Sequence, residues 1–147
     1  MGVLNPGGAF RRALLGSNVV TKSTGTLAAT TIPLFTISGG LVVVTSIVGR
    51  VTTAITVANS YKLQHNPTLG TTKDLCTAAD IGTTDTVVGE VFVPKIGVSL
   101  ALGPAAMQDP VPLDTGQIES VSAGTDGAIL WMVTWYPLEN GATLVAA

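Results

Sequence analysis

Short runs of β-branched and aliphatic residues, separated by turn-forming Gly, Pro, Asn and Asp, make up most of the chain. The runs cover residues 19–24, 32–37, 41–57, 61–64, 74–78, 87–93, 98–102, 117–122 and 129–136. No window keeps apolar residues at helical spacing for three turns. Many short strands with turn signals at intervals of about 8–12 residues predict an all-β fold, an antiparallel β-sandwich or jelly-roll-like single domain.

The run 41–57 reads as one long strand with an alternating pattern. Its odd-numbered positions are mostly apolar, whereas its even-numbered positions become polar toward the end. Side chains alternate between the two faces of a strand, so one face is expected in the core. The residues expected there are Leu41, Val43, Ile47 and Val51. Because the run exceeds the usual 5–6 residues, a bulge is expected near Gly49.

The run 129–136 is apolar on both faces. Ile129, Trp131, Val133 and Trp135 occupy one face and Leu130, Met132 and Tyr136 the other. Such a strand is typical of the middle of a sheet that is covered on both sides, and in a small domain the second cover can come from a neighbouring subunit. Residues 111–136 are predicted to form a hairpin, with Asp126-Gly127 supplying the turn.

The first residues differ from the rest of the chain. Asn5-Pro6 and Gly7-Gly8 do not belong in a regular helix and fit a strand poorly. Residues 1–17 are therefore predicted to be an extended N-terminal arm, and residues 18–147 the β-sandwich domain. The total of 147 residues fits one domain. Val3, Leu4 and Phe10 offer apolar anchors and Arg11 and Arg12 offer donors, so the arm is expected to order on a partner.

Charge is scarce in the composition. Charged residues are 11% of the chain, against an average of about 25%, while apolar residues are an ordinary 46%. The missing charge is replaced largely by Thr, Ser and Gly. Weakly charged surfaces favour association, and the cores of oligomer interfaces are depleted in charge. A homo-oligomer is expected, with a trimer as the best single guess.

The charge pattern and the single cysteine exclude several classes. A net charge of −2 with scattered Lys and Arg does not suit nucleic acid. Cys76 alone excludes an intramolecular disulfide and fits synthesis in a reducing cytoplasm; no signal peptide is recognised. The charge-free stretch 23–49 is long enough for a membrane span, but Pro33 and Gly39-Gly40 divide it into strand, turn and strand. No membrane span is expected.

Residues with catalytic or metal-binding potential are few. His65 is the only histidine and is expected in a solvated polar turn; a hydrolase using it is a remote alternative. Cys76 is expected to be a buried, inert thiol. The carboxylates match no calcium-loop pattern and are expected to form turns. Trp131 and Trp135 share one face, where they could be a sugar-binding platform, although core or interface is favoured. No enzyme activity, cofactor or metal is predicted.

Several segments resemble small proteins encoded among the structural genes of tailed bacteriophages. They are residues 5–14 (NPGGAFRRAL), 40–49 (GLVVVTSIVG) with 51–53, 62–64 with 66–68, 70–76 (GTTKDLC), and 136–138 with 141–143. The resemblance covers most of the chain and is weakest over 87–109. No catalytic or binding residue can be carried over from this group, since no motif of that kind defines it.

The resemblance implies a virion structural protein, in particular a capsid decoration (cement) protein, a class of small β-rich trimers on the capsid surface. The major capsid protein would be the partner and the host bacterial cytoplasm the site of synthesis. A tail-tube, connector or minor capsid component is the alternative, and a carbohydrate-binding module is a second one. The interface residues hypothesised are Phe10, Arg11, Arg12, Trp131 and Trp135.

Overall fold

A computed structural model describes residues 18–94, 102–103 and 110–147 of the chain. Within these residues the protein consists of β-strands and their connections, without a helix. The strands are β1 (Asn18–Ser23), β2 (Thr31–Ser38), β3 (Val42–Thr53), β4 (Ser60–Pro67), β5 (Lys73–Asp74), β6 (Ala79–Asp80), β7 (Val91–Pro94), β8 (Leu102–Gly103), β9 (Val111–Leu113), β10 (Gly116–Ser122), β11 (Ala128–Pro137) and β12 (Thr143–Ala146).

The strands form two antiparallel sheets that pack face to face. Sheet A has the order β1-β11-β3-β7-β8, with β9 also pairing with β3. Sheet B has the order β12-β2-β10-β4-β5, with β6 also pairing with β4. The inner faces of both sheets contribute to one hydrophobic core. The predicted all-β sandwich is confirmed; the predicted arm, residues 1–17, lies outside the described residues.

The predicted hairpin between β10 and β11 is wrong. β10 pairs with β2 and β4 in the middle of sheet B, whereas β11 pairs with β1 and β3 in the middle of sheet A. The connection between them therefore arches from one sheet to the other. Gly127 has the predicted positive φ (78°), and the Asp126 carboxylate accepts hydrogen bonds from the backbone N–H groups of Thr56 and Val57. The sequence pattern predicts the turn residues correctly, but it does not predict which sheet each flanking strand joins.

Two bulges in β3 change which of its residues face the core. The pairing with β11 passes over Thr45 and Thr52, so neither lies opposite a partner. An extra residue reverses the alternation of side chains. Before Thr45 the core residues are Val42 and Val44, and after it they are Ile47 and Val51.

The core prediction for this strand is therefore confirmed for Ile47 and Val51 and wrong for Leu41, whereas Val43 is buried but outside the main cluster. Leu41 precedes the strand and is half-buried. Val43 is shielded but lies on the face opposite to the core residues on either side of it. The bulge expected near Gly49 occurs instead at Thr45 and Thr52.

Gly49 has a different role, which is to make space for the indole of Trp131. The two residues are paired across β3 and β11, and a Cβ atom on Gly49 would lie 2.9 Å from two ring atoms of Trp131. The ring of Trp131 stacks on that of Tyr61 from sheet B, with centroids 6.1 Å apart and planes at 7°. Its Nε1 donates a hydrogen bond to the Tyr61 hydroxyl at 2.9 Å. This pair joins the two sheets at the centre of the core.

Three further differences concern short elements. The strands β9 and β12 were not predicted, because runs of three and four residues are too short to carry a pattern. The single strand predicted over 74–78 is replaced by β5 and β6, with Cys76 in the bend between them. No helix that is long and apolar enough to cross a membrane occurs among the described residues.

Candidate functional site

An open cleft lies at one edge of the sandwich, between β9 of sheet A and the connection from β4 to β5 of sheet B. Its volume is about 540 Å³. We call it the edge cleft. Its apolar lining residues are Leu41, Pro67, Leu69, Leu75, Val111, Pro112 and Leu113, and its ionisable lining residues are His65, Lys73, Asp74 and Asp114. A mainly apolar cleft of this size with a few polar groups is the usual character of a binding site.

His65 lies in β4 and lines this cleft, with only 7% of its surface exposed. The predicted solvated turn is therefore wrong. Tyr61, Leu63 and His65 are successive inward positions of the strand, so the alternation of β4 directs the imidazole inward. Its Nε2 lies 3.0 Å from the backbone oxygen of Asp114. Because a carbonyl oxygen can only accept, Nε2 carries the hydrogen.

Burial lowers the pKa of His65 below its usual value, since a charged imidazole loses hydration there. The hydrogen bond to the Asp114 backbone and the carboxylates of Asp114 and Glu119 act in the opposite direction, and the charge of Lys73 adds to the lowering. Desolvation is the largest of these causes, so His65 is neutral in the folded protein near pH 7.

The stability of the protein is expected to fall as the pH is lowered from 7 toward 5. Because the pKa of His65 is lower in the folded protein than in the unfolded chain, the unfolded chain takes up the proton first as the pH falls. Each further decrease in pH then favours unfolding until His65 is also protonated in the folded protein. His65 is the only histidine of the chain. Urea denaturation at a series of pH values measures this slope.

The control for this prediction is His65→Gln, which keeps a polar side chain without a titrating group. Its free energy of unfolding should be nearly constant between pH 7 and 5. The carboxylates of Asp80 and Asp126 have lowered pKa values, held by hydrogen bonds to Thr83 and to Thr56 first of all, and they affect stability only at lower pH. An equal slope in the parent chain and in His65→Gln would contradict the assignment.

The hydrogen bonds of His65 and Cys76 each involve the backbone of the chain. Asp114 contacts the imidazole through its backbone oxygen, not through its carboxylate. Cys76 is buried away from the cleft lining, its Sγ accepts a hydrogen bond from the Leu63 N–H at 3.3 Å, and burial raises the pKa of its thiol. The prediction of a buried thiol is confirmed. In the part of the chain that the structure describes, no group of three His, Cys, Asp or Glu residues is placed to hold a metal ion.

The predicted interface residues fall into two groups. Phe10, Arg11 and Arg12 lie outside the described residues, so their role stays a prediction. Trp131 and Trp135 are 0% and 7% exposed within a single chain. They belong to the core, which was one of the alternatives for them. Within the single chain neither indole offers a platform for a sugar ring, and their role at an interface stays a prediction.

A second surface of interest is the outer face of sheet A. The pairing places apolar and small polar side chains together on this face of β1, β11, β3 and β7: Val19, Val48, Val91, Leu130, Met132 and Tyr136, with Thr21, Ser23, Ser46 and Thr134. Among the strand residues described on this face, the charged one is Arg50, which pairs with Leu130 and Val91. Val19 is 65% exposed. The apolar pattern on both faces of β11 predicted this surface.

The edge cleft, by contrast, had no signal in the sequence. Its two walls come from the regions around Pro67 and Val111, which are far apart along the chain and share no motif. No protein-family model, curated protein or solved structure matches the chain. The described surface thus offers two features for a functional argument, the edge cleft and the outer face of sheet A.

Proposed function

We propose that this chain is a structural protein of a bacteriophage virion, which decorates and reinforces the capsid as a homo-oligomer of β-sandwich domains. The virion assignment rests on the resemblance of its sequence segments to phage structural proteins. The outer face of sheet A carries the structural part of the argument. On this role the major capsid protein is its partner and the capsid surface its location.

The outer face of sheet A supports an assembly role because its apolar side chains remain partly uncovered in the single chain. Leu130, Met132 and Tyr136 are only half-buried in the single chain. Their inward neighbours on β11 are fully packed, so the strand needs a second cover to be buried on both sides. A group of partly exposed apolar side chains on one face of a domain is a common feature of interaction sites. The capsid shell supplies such a cover in the proposed role.

The composition supports the same role. The chain has 11% charged residues, and a domain that keeps little charge on its surface is suited to a permanent contact more than to free solution. A tail-tube, connector or minor capsid role would use the same features, and it differs in the number of copies per particle. The carbohydrate-binding alternative is weaker, because the tryptophan pair on which it depended is buried.

Purified virions of the phage that encodes this chain are expected to contain it at a copy number that is a substantial fraction of that of the major capsid protein. Met132→Glu should strongly reduce this number, because it places a carboxylate at the centre of the outer face of sheet A. Quantitative mass spectrometry of the particles measures both values. A copy number that corresponds to a single ring per particle would support the tail or connector role instead.

Thr36→Glu is the matched control for this experiment. Thr36 is also half-buried in the middle of a strand, but it pairs with Gln117 on sheet B. Both variants gain the same charge, so a general loss of stability would affect them alike. Absence of the chain from the virions would overturn the proposed function, and equal copy numbers for the two variants would exclude the outer face of sheet A as the contact.

A further inference from the structure

The first strand of sheet A has an open side at one edge of the sandwich. β1 pairs with β11 on its other side, and within the described residues no strand pairs with the open side. Such an edge is a template for a further strand. We propose that β1 pairs antiparallel with β1 of a second copy, so that sheet A continues through a two-fold axis at Thr21. The inference rests on the homo-oligomer of the proposed function and names the contact that builds it.

The hydrogen bonds to β11 determine which backbone groups of β1 face the open side. The Thr24 N–H donates to the backbone oxygen of Ile129 at 2.9 Å, and this pair continues the register of β1 with β11. In an antiparallel pair, positions that bond to the partner alternate with positions that point away from it, so the even-numbered residues of β1 bond to β11. The odd-numbered residues, Val19, Thr21 and Ser23, direct their N–H and C=O groups to the open side. Among the described residues no hydrogen bond uses these backbone groups.

The same groups determine the register between the two copies. Hydrogen bonds can form only where an odd-numbered residue lies opposite an odd-numbered residue. An axis at Thr21 places Thr21 opposite its own copy and Val19 opposite Ser23, which gives three pairs that each exchange two hydrogen bonds. An axis at Val20 or at Lys22 gives only two such pairs within the strand. The axis at Lys22 would also bring two ammonium groups opposite each other, which is destabilising.

The side chains of β1 fit this register. Thr21 is exposed on the outer face and lies opposite the second copy's Thr21, and cross-strand threonine pairs are favourable. Lys22 is the charged residue of β1 and shares the inner side with Trp131, its pair on β11. The Lys22 Nζ donates a hydrogen bond to the backbone oxygen of Ala147 in the same chain. Because Lys22 lies opposite the second copy's Val20, no like charges meet across the axis.

The other described sheet edges are less suited to pairing. β8 at the far edge of sheet A has two residues, and in sheet B β5 and β6 have two each and β12 has four. β1 has six residues without a proline, and its register with β11 is uninterrupted. Short strands, prolines, bulges and charges are the features that protect an edge from pairing. Of these β1 has only Lys22, whose ammonium is held by its own chain.

The pairing extends the outer face of sheet A over two copies. A two-fold axis between antiparallel strands of one sheet is perpendicular to that sheet, so the outer faces of both copies lie on the same side. Val19 is on the outer face of β1, and Leu130 and Met132 are next to that strand on β11. Their side chains in the two copies then belong to one surface. A dimer, in place of the trimer expected from the composition, is the unit that presents this surface to the capsid.

The full-length variant Thr21→Pro tests the pairing. Proline lacks the N–H that Thr21 would donate to the second copy, but the pairing with β11 does not use this N–H, so the domain should stay folded. The unmodified chain is expected to sediment as a dimer. Thr21→Pro should associate at least tenfold more weakly, because both central hydrogen bonds are lost. Thr21→Val is the matched control, which keeps the N–H and should stay a dimer, and thermal unfolding checks that each variant is folded.

Disulfide cross-linking tests the register. Opposed residues of a hydrogen-bonded antiparallel pair have Cα atoms about 5.5 Å apart, which a disulfide can bridge, so Thr21→Cys should form a cross-linked dimer under mild oxidation. Val19→Cys is the matched control on the same exposed face, because its two copies would lie about 14 Å apart. It should cross-link only when it is mixed with Ser23→Cys. The unmodified chain, whose Cys76 is buried, serves as the blank.

Three results would each overturn the inference. They are an unmodified chain that sediments as a monomer or a trimer, a folded Thr21→Pro variant that dimerises as tightly as the unmodified chain, and a Thr21→Cys variant that does not cross-link. The inference and the proposed function fail separately. A monomeric chain that is abundant in virions would overturn the pairing and leave the proposed function standing, whereas a cross-linked dimer of a chain that is absent from virions would do the reverse.

Discussion

Trp131→Ala is expected to lower the free energy of unfolding by about 3–5 kcal/mol. The indole is fully buried and stacks on Tyr61, and its Nε1 donates to the Tyr61 hydroxyl. Alanine would leave a cavity between the sheets, because Gly49 opposite has no side chain that could fill it. It would also remove the Tyr61 hydroxyl's hydrogen-bond donor within the core. Urea denaturation followed by circular dichroism measures the change.

Tyr136→Ala is a suitable comparison on the same strand. Tyr136 is half-buried on the outer face of sheet A, so its removal should cost the isolated chain much less than the removal of Trp131. Trp131→Phe should fall between the two, since it keeps an aromatic ring but loses the Nε1 donor. Similar losses for Trp131→Ala and Tyr136→Ala would show that Trp131 does not fill a well-packed site.

Asn59→Ala is expected to lower the free energy of unfolding by about 1–3 kcal/mol, the second largest effect. Asn59 is fully buried at the arch that joins β10 to β11. Its Oδ1 accepts hydrogen bonds from the N–H groups of Ala123 and Gly124 at 3.0 and 2.9 Å, and its Nδ2 donates to the Ser122 hydroxyl at 3.0 Å. Alanine would leave the buried Gly124 N–H without this acceptor, whereas the Ala123 N–H also donates to the backbone oxygen of Ser60 at 3.1 Å.

The Asn59 prediction has an internal control in Asn140→Ala, because Asn140 is exposed. That substitution should change the free energy of unfolding by less than about 0.5 kcal/mol. Asn59→Asp separates the acceptor from the donor: it keeps an oxygen for Ala123, Gly124 and the Ser122 hydroxyl, but it loses the Nδ2 donor and adds a buried charge. Stability equal to the parent in Asn59→Ala would mean that the arch does not depend on this side chain.

The sequence was sufficient to predict the strands whose pattern is long and regular. The alternation in β11 correctly placed Ile129, Trp131, Val133 and Trp135 in the core. In β3 the same reasoning failed before Thr45, because a bulge is a property of the backbone that the pattern of a run of valines does not indicate. Pairing also escaped prediction: an Asp-Gly turn joins neighbouring strands of one sheet or strands of two sheets equally well.

The candidate site was harder to predict than the fold. His65 lies between Gln64 and Asn66, and the polar composition of this segment suggested a turn. The alternation that continues from Tyr61 and Leu63 was the stronger signal, because it puts both flanking amides on the outer face. The edge cleft depends on the pairing of β9 with β3 and of β5 with β4, short contacts that no local pattern specifies.

The arch between β10 and β11 has a consequence for the way the chain folds. It joins β10, the central strand of sheet B, to β11, an interior strand of sheet A. The partners of these two strands, β1 to β4, come from the first half of the chain. Most of the core can therefore form only after long loops have closed. Such closure makes folding slow relative to proteins with local contacts. A newly synthesised chain therefore completes its two sheets only after nearly all of it has left the ribosome.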